Sequence, residues 1–169
     1  SSRDLCVMDR ESGRVLWTRR AEFTFRHNTI VADNGRLFVI DGIAPNALSQ
    51  FVFKGYRSKE SSKLYALDLK TGEVIWRRDR DVVGTFLGIS ADHSLLVQAG
   101  SGYRDRAWDE SSRGIVVYRV ADGTVVWKDL EFAHGGPLML NGNEFITNGG
   151  AGAGYSLFTG KKSGWQWLR

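Results

Sequence analysis

Short apolar runs alternate with polar turns along the whole chain, and the runs have the length of strands rather than helices. Leu64-Tyr65-Ala66-Leu67 and Val74-Ile75-Trp76 are β-favouring runs on either side of the polar stretch Asp68-Leu69-Lys70-Thr71-Gly72. They predict a β-hairpin, with Gly72 taking the positive φ that the turn demands. No stretch shows a convincing helical period.

The hairpin recurs. Val7-Met8-Asp9 leads to Gly13 and Trp17, and Val117-Tyr118-Arg119 leads to Gly123 and Trp127. In these copies, as in Gly72 and Trp76, the Trp follows the Gly by four residues. A worn copy runs from Gly154 to Gly160, with its aromatic one residue late at Trp165. The Trp-to-Trp intervals are 59 and 51 residues. Hairpins repeated at roughly 50 residues predict propeller blades or another repeat array.

The pattern Ala66-x-Asp68-x-x-Thr71-Gly72-x-x-x-Trp76 resembles the tryptophan-docking motif of the PQQ-like (quinoprotein) β-propeller repeats. The resemblance covers essentially the whole chain. It implies an all-β propeller of four-stranded antiparallel blades around a channel. It also implies that each Trp wedges against the neighbouring blade, with its indole N–H on a backbone carbonyl there. Asp9 and Asp68 are suited to accept hydrogen bonds from turn amides. Arg119 stands in that place in the third copy, where Asp122 is expected to cap the turn instead. Trp17, Trp76 and Trp127 read as structural residues.

With strands lettered A to D from the centre outwards, the expected units are a half blade over 4–20 and blades over 27–79, 84–130 and 134–168. In the first full blade, strand A covers 27–32, B 36–40, C 63–68 and D 73–79. In the next, they cover 84–90, 95–98, 114–119 and 124–130. In the last, A covers 134–140 and B 144–147, before a degenerate outer hairpin ending at Trp167. Propellers close with four to eight blades. The sequence therefore reads as an incomplete propeller that closes with further chain or with another chain.

The 169 residues carry a formal charge of +4, and the basic pairs Arg19-Arg20, Arg77-Arg78 and Lys161-Lys162 are scattered. A nucleic-acid surface needs a concentrated patch, so none is expected. No apolar run approaches the ~18 residues of a membrane helix. Ser1-Ser2-Arg3-Asp4 is expected to open directly onto a strand; no signal peptide is read in these residues, and a mature or truncated chain would lack one anyway. A periplasmic or secreted location is implied by the resemblance alone. The single Cys6 excludes an internal disulfide and is expected to be a small core residue.

Aligning the repeats on their A–B turns brings out one polar position. His27 precedes Asn34 by seven residues, His134 precedes Asn141 by seven, and Thr85 is the ungapped counterpart between them. Strand A lines the channel of a propeller. Arg26, His27, Asn28, Thr85 and His134 are thus candidates for a polar pocket at one channel mouth. The alternative is that they hydrogen-bond backbone where the chain enters each blade. Two histidines without a third ligand make no metal site, and no metal ligand or catalytic residue is nominated. His93, in an A–B turn, is expected to be exposed.

In an antiparallel meander the D–A and B–C connections leave on the same face. Both long B–C insertions, 42–62 and 100–113, therefore belong to the face where His27 and His134 enter. Long loops on a rigid scaffold are where binding residues collect. The first holds Phe51, Phe53 and Tyr56; the second holds Tyr103, Arg104, Asp105, Arg106, Trp108, Asp109 and Glu110. They either bind a protein or small-molecule partner or cap the propeller.

The family implied by the resemblance holds both PQQ-dependent alcohol and sugar dehydrogenases and cofactor-free scaffolds. PQQ and calcium enter only by that resemblance. The adjacent Cys-Cys pair of the quinoprotein alcohol dehydrogenases is missing, and no calcium ligands or quinone-stacking Trp can be matched. There is also no phosphate loop or nucleophile motif. The reading leans away from an enzyme, towards a non-catalytic binding or scaffold propeller using its loop face. The alternatives are a segment of a PQQ-dependent dehydrogenase and a purely structural fragment.

Overall fold

The computed structural model describes residues 2–42, 53–54, 62–83, 86–100, 102, 111–134, 138–147 and 152–166. Its strands are β1 (Ser2–Met8), β2 (Val15–Asp33), β3 (Arg36–Asp41), β4 (Lys63–Asp68), β5 (Val74–Arg78), β6 (Phe86–Ser90), β7 (Leu95–Ala99), β8 (Ile115–Arg119), β9 (Val125–Asp129), β10 (Met139–Asn141), β11 (Glu144–Ile146), β12 (Ala153–Ser156) and β13 (Lys162–Gln166). They form three antiparallel sheets with neighbours in chain order: β1 to β5, β6 to β9 and β10 to β13. This is the propeller meander expected from the repeats.

One join differs from the expected outline. Strand β2 runs unbroken from Val15 to Asp33, so the outer hairpin and the first full blade share a five-stranded sheet. The connection is held extended by Asp41. Its carboxylate accepts the amides of Glu22 at 2.7 Å and Phe23 at 3.0 Å, and the Gly42 amide donates to Thr24 at 3.1 Å.

The cores lie between blades. Successive residues on a strand point to opposite faces, so β3 sends Leu37 and Val39 one way and Phe38 and Ile40 the other. Leu37 and Val39 join Leu5, Phe25, Tyr65 and Leu67 in one cluster. Phe38 and Ile40 join Leu64 of their own blade and Leu87, Leu96 and Tyr118 of the following one in another. A third cluster packs Leu95, Val97 and Val117 against Phe145 and Leu157. The inner strands β7 and β8 are therefore buried on both faces except at Arg119. Each such Leu, Val or Phe contributes about 1.5–3 kcal/mol on burial.

The same alternation corrects the expectation for Cys6. Leu5 is buried and Val7 half-buried in the first cluster, so Cys6 between them projects to the other face of β1 and is exposed.

Trp17, Trp76 and Trp127 each meet the next hairpin turn in one way. The indole Nε1–H of Trp17 donates to Leu69 O at 3.0 Å, that of Trp76 to Val120 O at 3.0 Å, and that of Trp127 to Leu157 O at 2.7 Å. Gly72, Gly123 and Gly160 sit at φ of 74°, 70° and 69° under those rings. The turns are capped as the sequence suggests. Asp9 Oδ1 accepts the Ser12 amide at 2.8 Å, Asp68 Oδ1 accepts Lys70 and Thr71 at 2.9 and 2.8 Å, and Asp122 Oδ1 accepts Thr124 at 2.8 Å. The side chain of Trp165, and Trp167, lie outside the described residues.

Candidate functional site

The face that carries the long loops is built by bonds between B–C loop roots and D–A connections. Gly42 bonds Thr24, Gly100 bonds Gly114 at 2.9 Å, Gly114 bonds Phe132 at 2.9 Å, and Gly102 bonds the carbonyl of His134 at 3.0 Å. The roots of both insertions are thus tied to chain entering or leaving a blade. Ion pairs rim this face: Lys63 with Glu22, Lys128 with Asp81 at 2.6 Å, and Arg113 with Glu131 at 2.6 Å. The Glu22 carboxylate, by its hydrogen bond first, holds the Lys63 ammonium above its ordinary range.

Arg26, His27 and Asn28 sit in a feature that the repeat alignment does not reveal. The pairing of β2 with β3 steps from Phe25↔Asp41 to Ile30↔Val39, so 26–29 bulge opposite Ile40 alone. Thr29, buried, holds the bulge: its hydroxyl donates to Arg26 O at 2.8 Å and accepts the Ile40 amide at 3.3 Å. Arg26 turns inward and is buried, while His27 and Asn28 are pushed out to solvent. Bulges of this kind re-aim side chains and favour functional positions.

The other candidates are placed differently. His134 is half-buried beside Phe132, with ring centroids 5.6 Å apart. Thr85 lies outside the described residues, as do most of 42–62 and 100–113, including Phe51, Tyr56 and the run from Tyr103 to Glu110. Phe53 is almost fully exposed. His27 makes no side-chain hydrogen bond or ring contact among the described residues, so no direct contact joins it to His134.

His93 is not the exposed turn residue expected from the sequence. It is half-buried, edge-on to Phe158 at 5.0 Å between ring centroids. The contact crosses from one blade to the next, so local sequence gives no sign of it.

Three polar residues on this face were missed by sequence reasoning: Asp41, Gln98 and Tyr118. Gln98, fully buried, accepts the Val83 amide at 3.1 Å through Oε1 and donates through Nε2 to Asp81 O at 2.8 Å and to the Tyr118 hydroxyl at 3.1 Å. Burial, then the charge of Asp81, raises the Tyr118 phenol well above its ordinary range. The available signal was a polar residue at the end of an otherwise apolar B strand, Phe38-Val39-Ile40-Asp41 and Leu96-Val97-Gln98.

Among the described residues no three His, Cys, Asp or Glu side chains are placed to hold a metal ion. The described part of the chain therefore does not offer the carboxylate donor set that calcium needs. No helix among the described residues is long and apolar enough to cross a membrane.

A family model described as outer membrane protein assembly factor BamB matches residues 1–161. No curated protein sequence matches the chain. Among solved structures, BamB from Moraxella catarrhalis superposes with a TM-score of 0.63 at 18% identity, covering 98% of this chain and 44% of that one. A quinohemoprotein alcohol dehydrogenase from Pseudomonas putida gives 0.55 at 13% identity, covering 95% and 31%. A europium-containing methanol dehydrogenase gives 0.52 at 14%, covering 85% and 25%. The chain thus spans less than half the length of each. At these identities the likeness is one of fold.

Proposed function

The chain belongs to the BamB-type family of PQQ-like β-propellers, and we propose that it is a non-catalytic binding or scaffold module working through its loop face. The carrying observation is the anchoring of both long insertions to the D–A connections, seen in the Gly42–Thr24 and Gly102–His134 bonds. A loop with rigid roots presents its aromatic and charged residues at low entropic cost. The Trp–carbonyl contacts between hairpins support reading Ala66 to Trp76 as a tryptophan-docking motif, whose work is to hold the blades. The partner is proposed to be a protein, of the kind an outer membrane assembly factor serves. The location is proposed as periplasmic or secreted, and closure of the propeller is assigned to further chain or to another chain.

Arg26, His27, Asn28, Thr85 and His134 remain the proposed channel-mouth group, with the 26–29 bulge as their support. They would bind polar groups of a ligand rather than carry a reaction. We propose no quinone or calcium at this site, and derive no step through either.

Deleting 101–112 tests the reading. Binding to the partner should be lost while the β circular dichroism spectrum and the melting profile stay in place; a collapsed spectrum would make the loop structural. A titration with PQQ and calcium, followed by quinone absorbance and calorimetry, should show no saturable binding. Saturable 1:1 binding would replace the scaffold reading with the dehydrogenase one.

A further inference from the structure

The opposite face, where the A–B and C–D turns emerge, carries a cleft of about 310 Å³ between the second and third blades. Its walls are Leu95, Val126 and Phe158, and its polar rim is His93, Ser94 and Arg119. Val126 and Phe158 are 37% and 44% exposed, so the cleft presents apolar surface to solvent.

The repeats explain why the cleft exists here. Leu69 bonds Gly35 O, Val120 bonds Ser94 O and Leu157 bonds Asn143 O, at 2.9, 2.9 and 2.8 Å. These equivalent bonds align Arg36 with Leu95, Asp68 with Arg119, and Ala121 with Phe158. Between the first two blades, Arg36 reaches across and donates to Val120 O at 3.4 Å. At the next junction its counterpart is Leu95, too short to cross, and the gap stays open. The exchange also moves the charge. Leu95 pairs across the strands with Arg119, where Arg36 pairs with Asp68. Arg119 is exposed and makes no side-chain hydrogen bond or ion pair among the described residues. Asp122, which caps the turn, feels its charge, the Thr124 amide being the larger influence on that carboxylate.

We propose that this cleft docks an extended segment of a partner protein that carries a bulky apolar side chain next to an Asp or Glu. The apolar side chain covers Leu95, Val126 and Phe158, and the carboxylate pairs with Arg119, the only fixed charge on the lining. A polypeptide fits better than a small acid because Val126 belongs to β9, the outer strand of its sheet, whose free edge can pair with an added strand. The site lies on the face opposite the long loops. It shares with the proposed function only the idea of a protein partner.

The test is selection of phage-displayed random dodecapeptides on the chain, with affinities of the enriched peptides measured by fluorescence anisotropy. The expected peptides carry Asp or Glu within two positions of Phe, Leu, Ile or Trp. They should lose at least ~10-fold affinity on Arg119→Glu, an exposed position where folding is not at stake. Leu95→Arg, which restores the side chain of the preceding repeat, should close the cleft and abolish binding. Binding should survive deletion of 101–112, which separates this proposal from the loop-face reading. No enrichment, peptides without acidic residues, indifference to Arg119→Glu, or loss with the loop deletion would each overturn the proposal. Equal affinity for free 3-phenylpropanoate would also overturn it, since the cleft would then be a small-carboxylate site.

Discussion

The ring of Trp76 occupies the space that a Cβ on Gly123 would need: the nearest ring atom lies 2.7 Å from that position. The same indole donates to Val120 O three residues earlier. One turn therefore accepts the Trp twice, through a carbonyl and through a missing side chain. Trp17 over Gly72 and Trp127 over Gly160 repeat the arrangement at 2.7 Å. Gly13 has the same backbone, φ 69°, but a Cβ there meets nothing within 4 Å.

That contrast separates two reasons for glycine. Gly13→Ala should cost only left-handed strain, about 1–2 kcal/mol. Gly123→Ala carries the same strain plus a clash with a rigid ring, and should cost about 1–3 kcal/mol more. Urea denaturation of the two variants decides it. Equal losses would mean that the glycines serve the turn and not the Trp.

Trp76 itself should matter through packing. It is half-buried against Phe38, with ring centroids 5.7 Å apart. Trp76→Ala should destabilise by about 3–5 kcal/mol. Trp76→Phe keeps part of the ring but leaves Val120 O only the longer bond from Arg36 at 3.4 Å, and should fall between Ala and the wild type. A loss below ~1 kcal/mol for Trp76→Ala would show that the ring does not hold the blades together.

These contacts were legible because each is written several times in the sequence. A Gly-to-Trp spacing kept in three copies is a statement about blade geometry, and the hairpin borders followed from it. What was hidden is non-local or unique. The bulge at 26–29 depends on one hydroxyl, Thr29, substituting for a strand partner. The half-burial of His93 depends on Phe158, which lies in another blade. The turn-face cleft depends on how far Arg36 reaches and how far Leu95 does not. Cys6 was misplaced because apolar neighbours in sequence are on the opposite side of a strand. The channel-mouth group was drawn by aligning repeats, and repeat alignment is blind to the bulge that Thr29 holds at 26–29.

The turn caps make a prediction in acid. The Asp68 carboxylate lies below its ordinary range because the Thr71 and Lys70 amides bond to it; for Asp122 the Thr124 amide leads, and for Asp9 the Ser12 hydroxyl. A pKa depressed by folding contributes stability that is present above the unfolded value, about pH 4, and is lost as pH falls through the folded value. The melting temperature should therefore fall below about pH 4. The double variant Asp68→Asn and Asp122→Asn should melt lower at pH 7 and show a shallower acid decline. An unchanged acid profile in that variant would mean that other carboxylates set it.

Tyr118 makes the opposite prediction in alkali. Its phenol is buried, with Gln98 Nε2 donating to it, and burial followed by the Asp81 charge raises its pKa. A phenol whose pKa rises on folding contributes stability that is complete below the unfolded value, near 10, and is lost as pH climbs towards the folded one. Absorbance at 295 nm should thus show the Tyr118 phenol still protonated while the chain remains folded, ionising only as the chain unfolds. Tyr118→Phe should remove that silent tyrosine and flatten the alkaline loss of stability. It should cost about 1 kcal/mol at pH 7, because Gln98 keeps its bond to Asp81 O. If the folded wild type and Tyr118→Phe differ by one reversibly ionising tyrosine near pH 10, the phenol is reached by water and the buried network at Gln98 is not closed.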